Sequence, residues 1–105
     1  MDGAKKELIE WGRAVLLAEG QALFSLVERI DKSFIDCVEL LANCRGKVVV
    51  SGLGKSGHIA QKISSTLAST GTPSLFLHPS EAQHGDFGML DSKDCLIAIS
   101  YGGET

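Results

Sequence analysis

Cysteine, proline and positive charge are all scarce in this chain of 105 residues, and each scarcity removes a class of protein. Three cysteines, Cys37, Cys44 and Cys95, form no CxxC pair. That excludes a disulfide scaffold or a cysteine-built zinc site and fits reduced thiols in a cytosolic protein. Ten Lys and Arg stand against thirteen Asp and Glu, a net charge of −3, which argues against a nucleic-acid or anionic-membrane surface as the main partner. No apolar run approaches the roughly 18–20 residues that span a bilayer. Met1–Glu7 offers no apolar signal-peptide core, so a cytoplasmic location is expected. What is present is ordinary globular material, 44% apolar and 22% charged, sized for one small domain. Prolines number only two, so glycine, with twelve copies, does the punctuating. Nine of those twelve lie at or after Gly46, which sets a helical first half against a second half of strands and loops.

Residues 4–30 predict a helix, with Leu8, Trp11, Val15, Ala18 and Ala22 at spacings of three and four. Gly12 and Gly20 weaken it by about 1 kcal/mol each. Its apolar stripe calls for a partner, either the domain's own sheet or another subunit. A second helix is expected from Ser33, a fair N-cap, with Phe34, Val38 and Leu41 on one face and Gly46 as the stop. Lys47–Ser51 is a β-branched run, expected to be a strand buried on both faces in a parallel sheet. A loop over Gly52–Gly57, a helix from Ser56 to Ser69 and a strand over Pro73–Leu77 complete a βαβ unit. After a helical turn and a loop, Cys95–Ile99 predicts a third strand, also buried, followed by the small polar loop Ser100–Thr105. The division expected is a helical segment over 1–45 and the front part of a larger α/β domain over 46–105. Such a loop after a buried strand normally leads into a further helix, so the chain reads as truncated.

Gly52-x-Gly54-x-x-Gly57 matches the dinucleotide-binding fingerprint literally. The acidic residue that should close the next strand is missing, since Leu77 and His78 stand there and Glu81 comes too late. A Walker A loop fails as well, because Val49 occupies the place of its first glycine. What both motifs share survives: free N–H groups at a helix N-terminus, joined by the Ser56 hydroxyl and the Lys55 charge, suit an anion. In a sheet of order 2-1-3 the loops after strands 1 and 3 flank the crevice where ligands bind. His78, Glu81 and His84 open on the same edge. One crevice thus gathers phosphate donors, a lysine, two histidines and a carboxylate, an acid–base set for a small phosphorylated metabolite.

Gly54-Lys55-Ser56-Gly57-His58, Leu67–Pro73, His78-Pro79-x-Glu81-Ala82-x-His84-Gly85-Asp86 and Ala98-Ile99-Ser100 closely resemble the sugar isomerase (SIS) domain of bacterial arabinose 5-phosphate isomerases. The resemblance covers essentially the whole second half, and the helical first half fits the family's N-terminal region. It implies a three-layer, doubly wound parallel α/β sheet of flavodoxin-like order, represented here by the first three strands and the N-terminal helices. It also implies interconversion of D-ribulose 5-phosphate and D-arabinose 5-phosphate, feeding Kdo for lipopolysaccharide or capsule, in cytoplasmic homotetramers. Lys55 and His84 fall on catalytic positions. Ser56, Gly71, Thr72, His78, His84, Ser100 and Thr105 fall on substrate-binding ones, and His78 also on a position associated with zinc. No cofactor is expected to be required, and a zinc ion at His78 would be adventitious or inhibitory, since zinc wants three or four ligands. Neither nucleic acid nor membrane is an expected partner. The second phosphate loop departs from the family's Ser-x-Ser-Gly pattern, with Gly102 in place of the middle serine. The family's catalytic glutamates and a later histidine lie beyond Thr105. Two expectations therefore stand together: an aldose–ketose isomerase whose 105 residues are inactive alone, and a non-catalytic sugar-phosphate-binding module.

Overall fold

A computed structural model describes residues 2–83 and 90–103. The chain divides into two compact units, Met1–Asp36 and Cys37–Thr105.

The first unit is dominated by α1, Gly3–Leu26, which runs unbroken through both of its internal glycines. Asp2 caps it, its carboxylate accepting the Lys5 N–H at 2.9 Å. A 3₁₀ turn over Val27–Arg29 follows, and Ile30 leaves the helical region with φ −76° and ψ 105°. No residue of α1 is buried, and Leu16, Leu23 and Phe24 are at least two-thirds exposed.

The next helix, α2, spans Lys32–Ala42. Its cap is Asp31 and not the expected Ser33. The Asp31 carboxylate accepts the Ser33 N–H at 3.0 Å and the Ser33 hydroxyl at 2.6 Å. The hydroxyl bond, with the backbone bond behind it, lowers the Asp31 pKa from its ordinary value. Serine and aspartate compete for a cap one or two residues apart, and the carboxylate reaches both donors.

The second unit is a parallel sheet of three strands, β1 (Val48–Gly52), β2 (Ser74–Phe76) and β3 (Cys95–Ile99), in the order β2-β1-β3. Val48 pairs with Ser74 on one side and Cys95 on the other. The central strand is buried as predicted, with Val48, Val49 and Val50 at most 1% exposed. Helix α3, Gly54–Ser69, packs on it through Ala60, with Ile63, Leu67, Leu41 and Cys44 around the same cluster. Inside this layer the Ser74 hydroxyl donates to the Val48 carbonyl at 2.7 Å and meets the Ser64 hydroxyl at 2.9 Å.

β3 departs from the expectation of burial on both faces. Its residues alternate between half-buried and exposed, and Leu96 is 56% exposed. Ile97 and Ile99 join the α3-side core, whereas Leu96 and Ala98 point to the other face. The fourth helix, α4, is the short Pro79–Gln83. Among the described residues no helix is long and apolar enough to cross a membrane.

Candidate functional site

The sheet order places a topological switch between β1 and β3, and the chain leaves both strands there at their carboxyl ends. At the end of β1 three glycines serve different needs. A Cβ on Gly57 would sit 2.6 Å from the Gly52 carbonyl oxygen, and one on Gly52 would sit 2.9 Å from the Ser56 backbone. These two glycines let strand and helix touch. Gly54 has open space around it and is needed instead for its φ of +56°.

The consequence is a turn tighter than the sequence suggested. Only Leu53 separates β1 from α3, so Lys55 and Ser56 lie in the helix's first turn and not in a loop. The first bond of the ladder runs from the Gly57 N–H to the Leu53 carbonyl at 3.2 Å, and no side chain caps the helix. The N–H groups of Gly54, Lys55 and Ser56 precede that ladder and point out of the helix end. The first turn of this helix of 16 residues thus carries the positive helix end, an exposed lysine and a half-buried serine together.

At the end of β3, Ser100 begins a turn in which its hydroxyl oxygen accepts the Gly103 N–H at 2.9 Å, with Gly103 at φ +76°. The Ser100 oxygen is thereby committed to its own backbone, and its O–H remains to donate outward. Thr105 and Glu104 lie outside the described residues.

β2 ends in Phe76. Leu77, 2% exposed, ties the chain down with its N–H on the Val50 carbonyl at 3.0 Å, and His78 is the first residue free of the sheet. Pro79 opens α4, which makes His78 the residue before a helical first turn. Its carbonyl accepts the Glu81 N–H at 3.0 Å, and its Nδ1 accepts the Ser80 N–H at 3.1 Å. The Ser80 hydroxyl lies 2.7 Å from the same nitrogen. The imidazole and Phe76 meet in a T-shaped arrangement, with ring centroids 6.5 Å apart and planes at 85°.

Lys55, Ser56, His78 and Ser100 thus stand at the carboxyl ends of three adjacent strands. Gly71 and Thr72 do not join them. They close α3 at its far end, with Gly71 at φ +101° and the Thr72 N–H on the Leu67 carbonyl at 2.9 Å, where β2 is about to begin. Within one chain they occupy the opposite edge of the sheet. His84 lies outside the described residues. Sequence reasoning missed Ser80; the signal for it is the His-Pro pair, which predicts a helix start at Pro79 and hence an N-cap role for the residue before it. Among the described residues no three metal-ligating side chains gather, and His78 already spends one ring nitrogen on Ser80. These residues do not fit a zinc site by themselves.

Residues 40–105 match the family model described as the SIS domain. The chain belongs to the SIS domain family. Among curated relatives, the arabinose 5-phosphate isomerase GutQ of Escherichia coli K12 is 52% identical over 96 residues, covering 91% of this chain and 30% of that protein. The arabinose 5-phosphate isomerase KdsD of Shigella flexneri is 52% identical over 94 residues, covering 90% and 29%. This SIS chain therefore spans about a third of the length of such relatives. Among solved structures, the c3406 protein of E. coli CFT073, in complex with arabinose 5-phosphate, superposes with a TM-score of 0.90 at 42% identity, over all of this chain and 55% of that one.

Proposed function

We propose that this SIS domain binds a five-carbon sugar phosphate and forms the phosphate-holding part of an isomerase that interconverts D-ribulose 5-phosphate and D-arabinose 5-phosphate. The observation that carries this is the uncapped N-terminus of α3 with Lys55 and Ser56 in its first turn, set beside His78 at the end of the neighbouring strand. The relatives' names and the sugar-phosphate complex of a 42%-identical neighbour support the choice of sugar.

The phosphate is assigned to the Gly54–Ser56 N–H groups and the Ser56 hydroxyl, with Ser100 donating from across the crevice. The open-chain sugar passes through a cis-enediol as a proton moves between C1 and C2, and Lys55 steadies the negative charge that develops on the oxygens. His84 is assigned proton shuttling between oxygens. The carboxylate that takes the carbon-bound proton is assigned to a residue outside these 105. A cytoplasmic homotetramer supplying Kdo synthesis is the corresponding cellular setting.

Gly102 favours a second reading, a binding module without catalysis, because it removes a hydroxyl donor from the second phosphate loop. Titration with D-arabinose 5-phosphate should shift the Gly54–Gly57 amide resonances, and silence there would sink both readings. A coupled assay on D-ribulose 5-phosphate in the full-length protein then separates isomerase from binding module.

A further inference from the structure

A backbone N–H can only donate. The Ser80 N–H aimed at Nδ1 of His78 from 3.1 Å therefore requires a lone pair on that nitrogen. A neutral imidazole with a bare Nδ1 carries its hydrogen on Nε2. The Ser80 hydroxyl, 2.7 Å from the same Nδ1, then has only one role open to it, as a second donor. Two hydrogen bonds from one residue, with Phe76 against the ring at 85°, define both the tautomer and the direction of Nε2.

We propose that Ser80 is a positioning residue that presents His78 as an Nε2–H donor, so that His78 meets the sugar phosphate with a hydrogen to give and not with a lone pair. The ligand role rests on the sugar-phosphate reading above; the tautomer does not. An Nε2–H suits a hydroxyl or carbonyl oxygen of an open-chain sugar and cannot take a proton from carbon. It is also the wrong form for a metal ligand. Binding zinc through Nε2 would move the hydrogen to Nδ1 and set it against the Ser80 N–H, which would cost that bond and force the Ser80 hydroxyl to turn from donor to acceptor. Sugar binding and metal binding at His78 thus pull on Ser80 in opposite senses.

The test is a long-range proton–nitrogen NMR correlation on the isotope-labelled chain without ligand, with His58, exposed on α3, as the internal reference. His78 should show a bare Nδ1 and a protonated Nε2 in a single tautomer, while His58 averages between forms. Ser80 is exposed, so Ser80→Ala keeps the fold. The substitution should weaken D-arabinose 5-phosphate binding about threefold, the worth of one modest hydrogen bond. Ser80→Thr should restore it. A protonated Nδ1 overturns the proposal and leaves the sugar-phosphate reading standing. Equal sugar-phosphate affinity in Ser80→Ala and wild type overturns the positioning role. No response of the Gly54–Gly57 amides to the sugar phosphate overturns the reading itself, and the ligand role of His78 with it.

Discussion

Where the strands begin, polar groups are used up; where they end, polar groups are left over. At the starting edge the Asp94 carboxylate, 5% exposed, accepts the Lys47 N–H at 2.9 Å, the Lys47 ammonium at 2.7 Å and the Asp91 N–H at 2.8 Å. The Gly46 N–H donates to the Lys93 carbonyl at 2.9 Å, and the Cys95 N–H to the Lys47 carbonyl at 3.1 Å. Even the Cys44 thiol is engaged there, 3.5 Å from the Lys93 carbonyl, and this neighbouring thiol, with burial behind it, raises the Cys95 pKa. At the finishing edge, three α3 amides precede the helix ladder, Lys55 is exposed and the exposed His78 engages Ser80 through Nδ1 alone among its two ring nitrogens. One edge locks the strands in register, and the other keeps donors ready for a ligand. A residue's edge therefore predicts whether its loss is felt in stability or in binding.

The largest effect should come from Gly46→Ala at the starting edge. The new Cβ would fall onto the Asp94 carboxylate and come within 2.9 Å of the Lys93 carbonyl oxygen. The carboxylate cannot step aside without dropping Lys47 and Asp91. A loss of about 2–3 kcal/mol is expected from overpacking, read by urea denaturation. Unchanged stability would mean that the network is loose.

Acid should probe the same carboxylate. The Lys47 ammonium first, and then the Asp91 and Lys47 N–H groups, lower the Asp94 pKa from 3.8 to about 2. A group held lower in the fold than in the unfolded chain stabilises above its unfolded pKa and loses that contribution as pH falls through the folded one. Stability should therefore drop between about pH 4 and pH 2, and Asp94→Asn should lose that segment of the profile. An identical acid profile in Asp94→Asn would place the acid-sensitive group elsewhere.

Lys55→Ala inverts the pattern. Turnover of D-ribulose 5-phosphate by the full-length protein should fall more than tenfold, at least about 1.4 kcal/mol of transition-state stabilisation, with the thermal midpoint unmoved. Equal kinetics would return Lys55 to a solvated lysine. At Gly57→Ala the finishing edge should behave like the starting one. Alanine gains about 1 kcal/mol of helix propensity. Its Cβ, however, meets the Gly52 carbonyl oxygen at 2.6 Å, a backbone atom with no rotamer to yield. A net loss of about 1 kcal/mol is expected, together with weaker phosphate binding as α3 shifts. A stabilised Gly57→Ala would mean that strand and helix part easily.

How much of this can be seen in the sequence follows the range of the forces involved. The β-branched run at Lys47–Ser51 and the apolar Cys95–Ile99 announce their strands to within a residue, because burial of the strand is written in the strand. The start of α3 reads two residues late, because Gly52-x-Gly54-x-x-Gly57 looks like a loop until the left-handed Gly54 is seen to fold straight into a helix. The exposed face of β3 is not legible, since Leu96 and Ala98 say only that they are apolar and not what covers them. Resemblance groups Gly71 and Thr72 with the site, but within one chain α3 runs back to the starting edge, so both stand before β2 and His78 after it. Lys47 and Asp94 are 47 positions apart, and nothing local joins them.

The smallest effect, and the sharpest check on the contrast between the edges, is Ser100→Ala. Ser100 belongs to the finishing edge but already spends its oxygen on the Gly103 N–H at 2.9 Å. It is a hybrid, half structural and half available. If the hydroxyl hydrogen reaches the phosphate, alanine should weaken inorganic phosphate binding about threefold, one modest hydrogen bond. Because Gly103 is exposed, its freed N–H turns to water and stability should stay within about 0.5 kcal/mol. A larger loss of stability with phosphate affinity intact would assign Ser100 to the turn alone. The finishing edge would then hold its anion from the α3 side only, through Gly54, Lys55 and Ser56.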